Sequence, residues 1–328
     1  MLSRTADHLF WMARYTERAE NTARMMDVTF QTSLLPQSEH SAEQGWRAVL
    51  GISELQTSFE QKYKGVKSAD VIDFMIRDPN NPSSIVACLT AARENARAVR
   101  GALTTEAWET QNTTWLEMKQ WLEKPNWKQD PSQFFEWVKY RSHLSRGVAI
   151  GTMLRDEAFS FIRLGTFLER ADNTARMLDI KYHSLHDLAE TTPEGQIEAK
   201  AEESQLDYYY WAAILRSVSA FEIYRKVYRD VITPERVAEL LMLRADMPRS
   251  LHACMEAVAR NLKDVSNKSS ADTERLAGKM LAELRFARIG EILEDGLHEY
   301  LKRFFEQIFE LGNRISRDFL VPLADSTN

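Results

Sequence analysis

Glycine and proline are scarce in this chain, with 12 and 9 among 328 residues. Long segments free of both favour helix, since these two residues carry the largest helix penalties. Alternating β-branched runs closed by Asn-Gly or Asp-Gly turns are missing, so strands find no support. The two cysteines, Cys88 and Cys254, give neither a disulfide framework nor the spacing of a zinc site. No run of about 18 apolar residues exists, which argues against a membrane-spanning helix. Lys and Arg form no block, and the net charge is −6, so a nucleic-acid footprint is not expected. The first residues become charged too early for a secretory signal, and the expectation is a cytoplasmic protein. A glycine-rich phosphate loop, a Gly-x-Ser-x-Gly elbow and a His-Glu-x-x-His pair are all missing, so no cofactor or metal is expected.

Apolar residues nevertheless make up 44 % of the chain, enough for a sizeable core. The expectation is an all-α protein of about ten to fourteen helices at ordinary helix lengths.

A repeat organises it. Glu17 to Val28 reads ERAENTARMMDV, and Glu169 to Ile180, 152 positions on, reads ERADNTARMLDI, with nine of the 12 positions identical. At an offset of 165, Trp46 matches Trp211, Leu50 matches Leu215, Phe59 matches Tyr224 and Tyr63 matches Tyr228. At 166, Pro82 falls on Pro248, Ser84 on Ser250, Cys88 on Cys254 and Asn95 on Asn261. The chain reads as two tandem copies, 1–152 and 153–328, forming one compact helical bundle with a pseudo-twofold relation. The change of offset falls in the polar stretch LAETTPEGQIEAKAEESQ, a tolerated place for an insertion. The first copy's own extra, WLEKPNWKQDPSQFFEW, reads as a proline-containing loop with aromatic anchors.

On a helix at 100° per residue, Arg14, Glu17, Asn21 and Arg24 share one polar stripe, which Glu20 and Asp27 extend. Tyr15, Ala19, Ala23 and Met26 share the opposite, apolar face. The second copy sets Glu169, Asn173 and Arg176 against Phe167, Ala171, Ala175 and Leu178. Arg18 and Arg170 fall on the apolar margin, where an arginine must snorkel, stack on a ring or meet a carboxylate. Pairs four apart, such as Glu20 with Arg24, add only about 0.2–0.5 kcal/mol. That does not explain the retention of a mediocre helix former, Asn21 and Asn173, in both copies. A buried Glu–Asn–Arg network, a ligand surface and incidental retention stay open as readings.

Other chemistry is sparser. Arg93, Arg97 and Arg100 could hold an anion or pair with glutamates; the second copy has Ala259 where the first has Arg93. His183 with His186, and Asp295 with His298, are three apart but complete no metal site. Cys88 and Cys254 sit among Ala, Leu and Met, as small core residues do.

MLSRTADHLFWMARYTERAENTARMMDV and FSFIRLGTFLERADNTARMLDIKYHSL resemble the hallmark segments of the bacterial alpha-E family, as do NPSSI, ARENAR and MLRDEAFSFIRLG. The resemblance covers almost the whole chain. It implies an all-helical fold and a partner, a circularly permuted ATP-grasp protein of the amide- or peptide-ligase type, often with a transglutaminase-like protease encoded nearby. The implied role is an accessory or substrate-presenting subunit handling a peptide or acidic small molecule. Ligand-binding candidates are Arg14, Arg18, Asn21, Arg24, Arg93, Arg97, Arg170, Asn173 and Arg176. Thr166 departs from the family's arginine at the position matching Arg14. Two alternatives remain: an enzyme using Glu17 and Glu169 as acid/base groups beside arginines, or a structural oligomerisation module, with a homo-oligomer in view.

Overall fold

A computed structural model describes residues 1–124, 130–191 and 208–321, with side chains from 180 to 191 left out. Among the described residues every regular element is helical. The order is α1 (Ser3–Ser33), α2 (Glu39–Ile52), α3 (Gln56–Glu60), α4 (Ser68–Arg77), α5 (Ile85–Ala98), α6 (Thr105–Glu123), α7 (Ser132–Thr152) and α8 (Glu157–Thr191). There follow α9 (208–217), α10 (Phe221–Tyr228), α11 (Pro234–Met242), α12 (Leu251–Asp264), α13 (Ala271–Phe286), α14 (Ile289–Asp295) and α15 (Leu297–Phe319). That is slightly more than the length-based expectation, because several connections form helices of five to nine residues. None of the described helices is long and apolar enough to cross a membrane. Most of the polar stretch at the offset change lies outside the described residues, as do the side chains of His183 and His186; of the proline-containing stretch only 125–129 do, and its ends, 121–123 and 132–137, belong to α6 and α7 rather than to a loop.

Local chemistry starts the helices where the sequence changes character. Ser38, Ser84, Thr104, Thr233 and Ser250 each accept a backbone N–H three residues on, satisfying a donor the first turn leaves orphaned. Pro234 occupies the first turn of α11, where its missing N–H costs nothing.

The two long helices, α1 and α8, form the centre and run in the same direction: Met1 meets Glu157, Phe10 meets Gly165, and Glu17 meets Arg170. Small residues permit this approach. Ala13, Ala19, Ala23, Ala171 and Ala175 are buried, and a Cβ on Gly165 would overlap the carbonyl oxygen of Phe10. Helices α5 and α7 pack on α1, while α12 and α15 pack on α8. Trp46, Trp211, Phe59 and Tyr224 fill the interior around them.

The polar stripe of α1 is buried, as a Glu–Asn–Arg network between helices requires, and the apolar face opposite it is covered as well. Glu17 is 1 % exposed, Glu20 0 % and Asn21 3 %. With helices on every side of α1, the 3.6-residue period marks which residues share a face but not which face meets water.

Candidate functional site: a buried arginine and carboxylate cluster

The repeated Glu-Arg pairs are exchanged between the central helices. Arg170 donates from Nε to Glu17 Oε1 at 2.8 Å and from Nη2 to Oε2 at 2.9 Å. Arg18 donates from Nε to Glu169 Oε1 at 2.5 Å and from Nη2 to Oε2 at 3.1 Å. Each is the planar two-bond arrangement that a guanidinium fork and a carboxylate favour. The arginines reach this geometry because they leave the margin of their own helix toward its neighbour, and rings support them. Arg18 lies 5.7 Å from the Tyr15 ring centroid and Arg170 5.1 Å from that of Phe167. Of the three fates open to a marginal arginine, both stacking and a carboxylate apply.

Around Glu17 the charges are uneven. Glu17 also accepts from Arg146 at 2.9 Å and from Arg249 at 3.0 Å. Glu20 accepts from Arg24 at 2.8 Å, from Ser142 at 2.7 Å, and from Arg146 and Arg249. Four guanidinium groups therefore face two carboxylates, which leaves two positive charges without a carboxylate in the cluster. Arg249 Nη1 also donates to Asn21 Oδ1 at 3.0 Å, while Asn21 Nδ2 is buried with no acceptor among the described residues.

His143 sits between two of these arginines. Its Nε2 is 3.0 Å from Arg24 Nη2 and its Nδ1 is 2.7 Å from Arg146 Nη2. Burial holds its pKa down, with the arginines adding to the effect, so the ring is neutral near pH 7. A neutral imidazole has one acceptor nitrogen and arginine only donates, so a single tautomer cannot satisfy both contacts. Beside this ring lies a groove of about 610 Å³ whose charged walls are Arg24, Lys139 and Arg216 against Asp27, Glu136 and Glu222, with His143, Tyr140 and Ser219 alongside. Arg24 Nη1 donates to Ser219 Oγ at 2.6 Å, and Ser219 holds a left-handed φ of 54°.

Glu169 is held differently. Arg14 donates to it from Nε at 2.7 Å, beside Arg18. Thr166, at the position matching Arg14, turns its hydroxyl to the carbonyl of Ile162 instead. Arg146 and Arg249 supply the additional positive charge at Glu17.

Burial by itself would raise these carboxyls, yet the guanidinium groups prevail. Glu17 lies below its ordinary value through Arg170 and Arg249, and Glu20 well below it through Arg249 and Arg146. Glu169 is brought down to about 2 by Arg14 and Arg18. Carboxylates so firmly ionised are weak proton acceptors, which speaks against Glu17 and Glu169 as general bases near neutral pH.

The other expected residues divide. Asn173 and Arg176 are half-buried beside Glu169 and line a second cavity. Arg176 pairs with Asp172 and Glu54. Arg93 and Arg97 pair with Glu94 on α5, and Arg93 stacks 4.7 Å from the Trp115 ring centroid. Arg100 lies over Trp108. These three are thus engaged outside the Glu17 cluster. His298 bonds Asp179, at 2.7 Å. Arg146, Arg249, Ser142 and His143 join the cluster unforeseen. A faint signal existed for Arg249, which fills the middle of the Pro-x-Ser entry matched at both ends.

Comparison with known proteins follows the same line. Residues 1–320 match the Alpha-E family, described as a predicted alpha-helical domain with a conserved ER motif. An uncharacterized protein of Mycobacterium bovis and one of Mycobacterium tuberculosis are each 26 % identical over 326 residues, covering 91 % of this chain. The chain spans about a third of those relatives, 34 % of their length. No solved structure matches.

Proposed function

Because the chain belongs to the Alpha-E family, we propose that it serves an ATP-grasp-type amide or peptide ligase as an accessory subunit that presents an acidic substrate or product. The observation that carries this reading is the unbalanced charge around Glu17 and Glu20, next to the cavity at Arg24 and His143. A carboxylate or other anion entering there would supply the missing negative charge. It would also supply an acceptor for whichever of Arg24 and Arg146 faces the protonated ring nitrogen of His143. Two thirds of the mycobacterial relatives lies outside the matched region, in keeping with a unit that works beside further polypeptide.

In the same reading the chain is two copies of one helical unit around a pseudo-twofold axis, working in the cytoplasm. The exchanged Glu-Arg pairs support this. So do Glu54 and Ser219, 165 positions apart, which share a left-handed φ of 55° and 54° and each receive the arginine of the opposite copy.

The test is co-expression with an ATP-grasp ligase, followed by size-exclusion chromatography and a turnover assay. The expected result is co-elution, no amide formation by this chain alone, and retention of an acidic peptide that Arg24→Met weakens. Separate elution of the two proteins, with no retention of the peptide, would overturn the proposal.

A further inference from the structure

Two helix entries 166 positions apart differ at one telling residue. Ser84 caps α5 and Ser250 caps α12, both helices have 14 residues, and Cys88 and Cys254 are both fully buried one turn in. The residue before the cap is Ser83 in one and Arg249 in the other. Arg249 sends its guanidinium into the group formed by Glu17, Glu20 and Asn21. Ser83 ends in a hydroxyl, and a cavity of about 240 Å³ opens beside it. Its walls carry Glu169, Asp172 and Asn173, which stand 152 positions after Glu17, Glu20 and Asn21.

The cavity has the chemistry of a place left by a cation. Three carboxylates line it, Glu54, Glu169 and Asp172, and three guanidinium groups answer them, Arg18 and Arg176 in its walls and Arg14 on Glu169, where four arginines answer the two carboxylates Glu17 and Glu20. Among the described residues Asp172 pairs with one arginine, Arg176, while Glu20 pairs with three. Asn21 lines the same cavity, its Oδ1 committed to Arg249 and its Nδ2 unsatisfied. A buried amide donor without an acceptor is costly and is rarely retained. Glu54, 72 % exposed on its side chain, gives the cavity access to solvent. One water of the liquid occupies about 30 Å³, so the volume takes a guanidinium with several further heavy atoms.

We infer that the cavity beside Ser83 binds the guanidinium group of a ligand that also offers a neighbouring oxygen, the first to Glu169, Asp172 and Asn173 and the second to Asn21. The ligand's guanidinium occupies the place that Arg249 takes near Glu17. This site is distinct from the anion cavity at Arg24 and His143 and does not depend on the ligase reading.

Isothermal titration calorimetry on the full chain at low salt tests it. The probes are argininamide, the doubly blocked N-acetyl-arginine methylamide, and the neutral ureido counterpart citrullinamide. Both guanidino probes are expected to bind saturably in the millimolar range or tighter, and citrullinamide at least tenfold more weakly. Binding of argininamide alone assigns a free guanidino compound; binding of the blocked probe as well assigns an arginine side chain of a peptide. Ser83→Arg, which supplies its own guanidinium, weakens binding at least tenfold. Should that variant fail to fold, Asp172→Asn is expected to weaken binding in the same direction. Absence of saturable binding by both guanidino probes would overturn the inference. So would equal binding of citrullinamide, or affinity unchanged in the folded variants.

Discussion

Glu17 and Arg170 lie on different central helices, 153 residues apart, and join through two hydrogen bonds of 2.8 and 2.9 Å with almost no solvent access. Taking either charge out of water costs several kcal/mol, and the pair persists because Arg249 and Arg146 complete the coordination of the carboxylate.

Removing that carboxylate's charge should therefore be severe. Glu17→Gln leaves Arg146, Arg170 and Arg249 short of their common counter-charge. A loss of about 3–5 kcal/mol is expected from breaking such a buried group. Urea unfolding followed by circular dichroism measures it; a loss below about 0.5 kcal/mol would mean the cluster contributes nothing to stability.

Acid should loosen the molecule through the same groups. Glu169 has a folded pKa of about 2 against 4.5 for a free glutamate, so its stabilisation is complete above about 4.5 and is lost as pH falls toward 2. The shift corresponds to about 3 kcal/mol. Glu17 and Glu20, also lowered, add to the slope in the same direction. Stability measured from pH 6 to pH 2 should fall steadily, and Glu169→Gln should flatten the fall while lowering stability at pH 6.

The crossing of the central helices is sensitive to a single methyl group. Gly165→Ala places a carbon against the Phe10 carbonyl, a backbone atom that cannot swing aside. A loss of about 1–3 kcal/mol is expected, typical of overpacking, and differential scanning calorimetry would record it as a lower Tm. An unchanged Tm would mean the helices can move apart freely.

Both cysteines should be inert in the native protein. Burial pushes Cys88 and Cys254 up to about 12, so almost no thiolate exists at pH 8. Ellman's reagent is expected to find both thiols only after denaturation; rapid reaction of either in the folded protein would contradict this packing.

The helical class was legible because glycine and proline are few, and the repeated dozen marked the central helices. Their inward orientation was one of several open readings, as a buried Glu–Asn–Arg network, and the pattern alone did not select it. An amphipathic stripe normally faces water, and only the surrounding α5, α7, α12 and α15 reverse that here. Arg18 and Arg170 were the visible clue, since guanidinium groups on an apolar margin demand partners from elsewhere. Those partners could not be named from local pattern because they lie more than 150 residues away. Arg249 was illegible for a related reason: the two helix entries match at Pro248 and Ser250, and the residue between them is where they differ.

Exchange of ionic partners between α1 and α8 also governs what fragments of the chain can do. Cleaved between α7 and α8, each piece would retain a glutamate whose arginine lies on the other piece. The fragments 1–154 and 155–328 should stay largely unfolded apart, yet regain helical signal and cooperative melting when mixed in equal amounts. Translation meets the same dependence: in the amino-terminal half Glu17 has only Arg146 to pair with, and Arg170 and Arg249 complete its coordination once the second half follows.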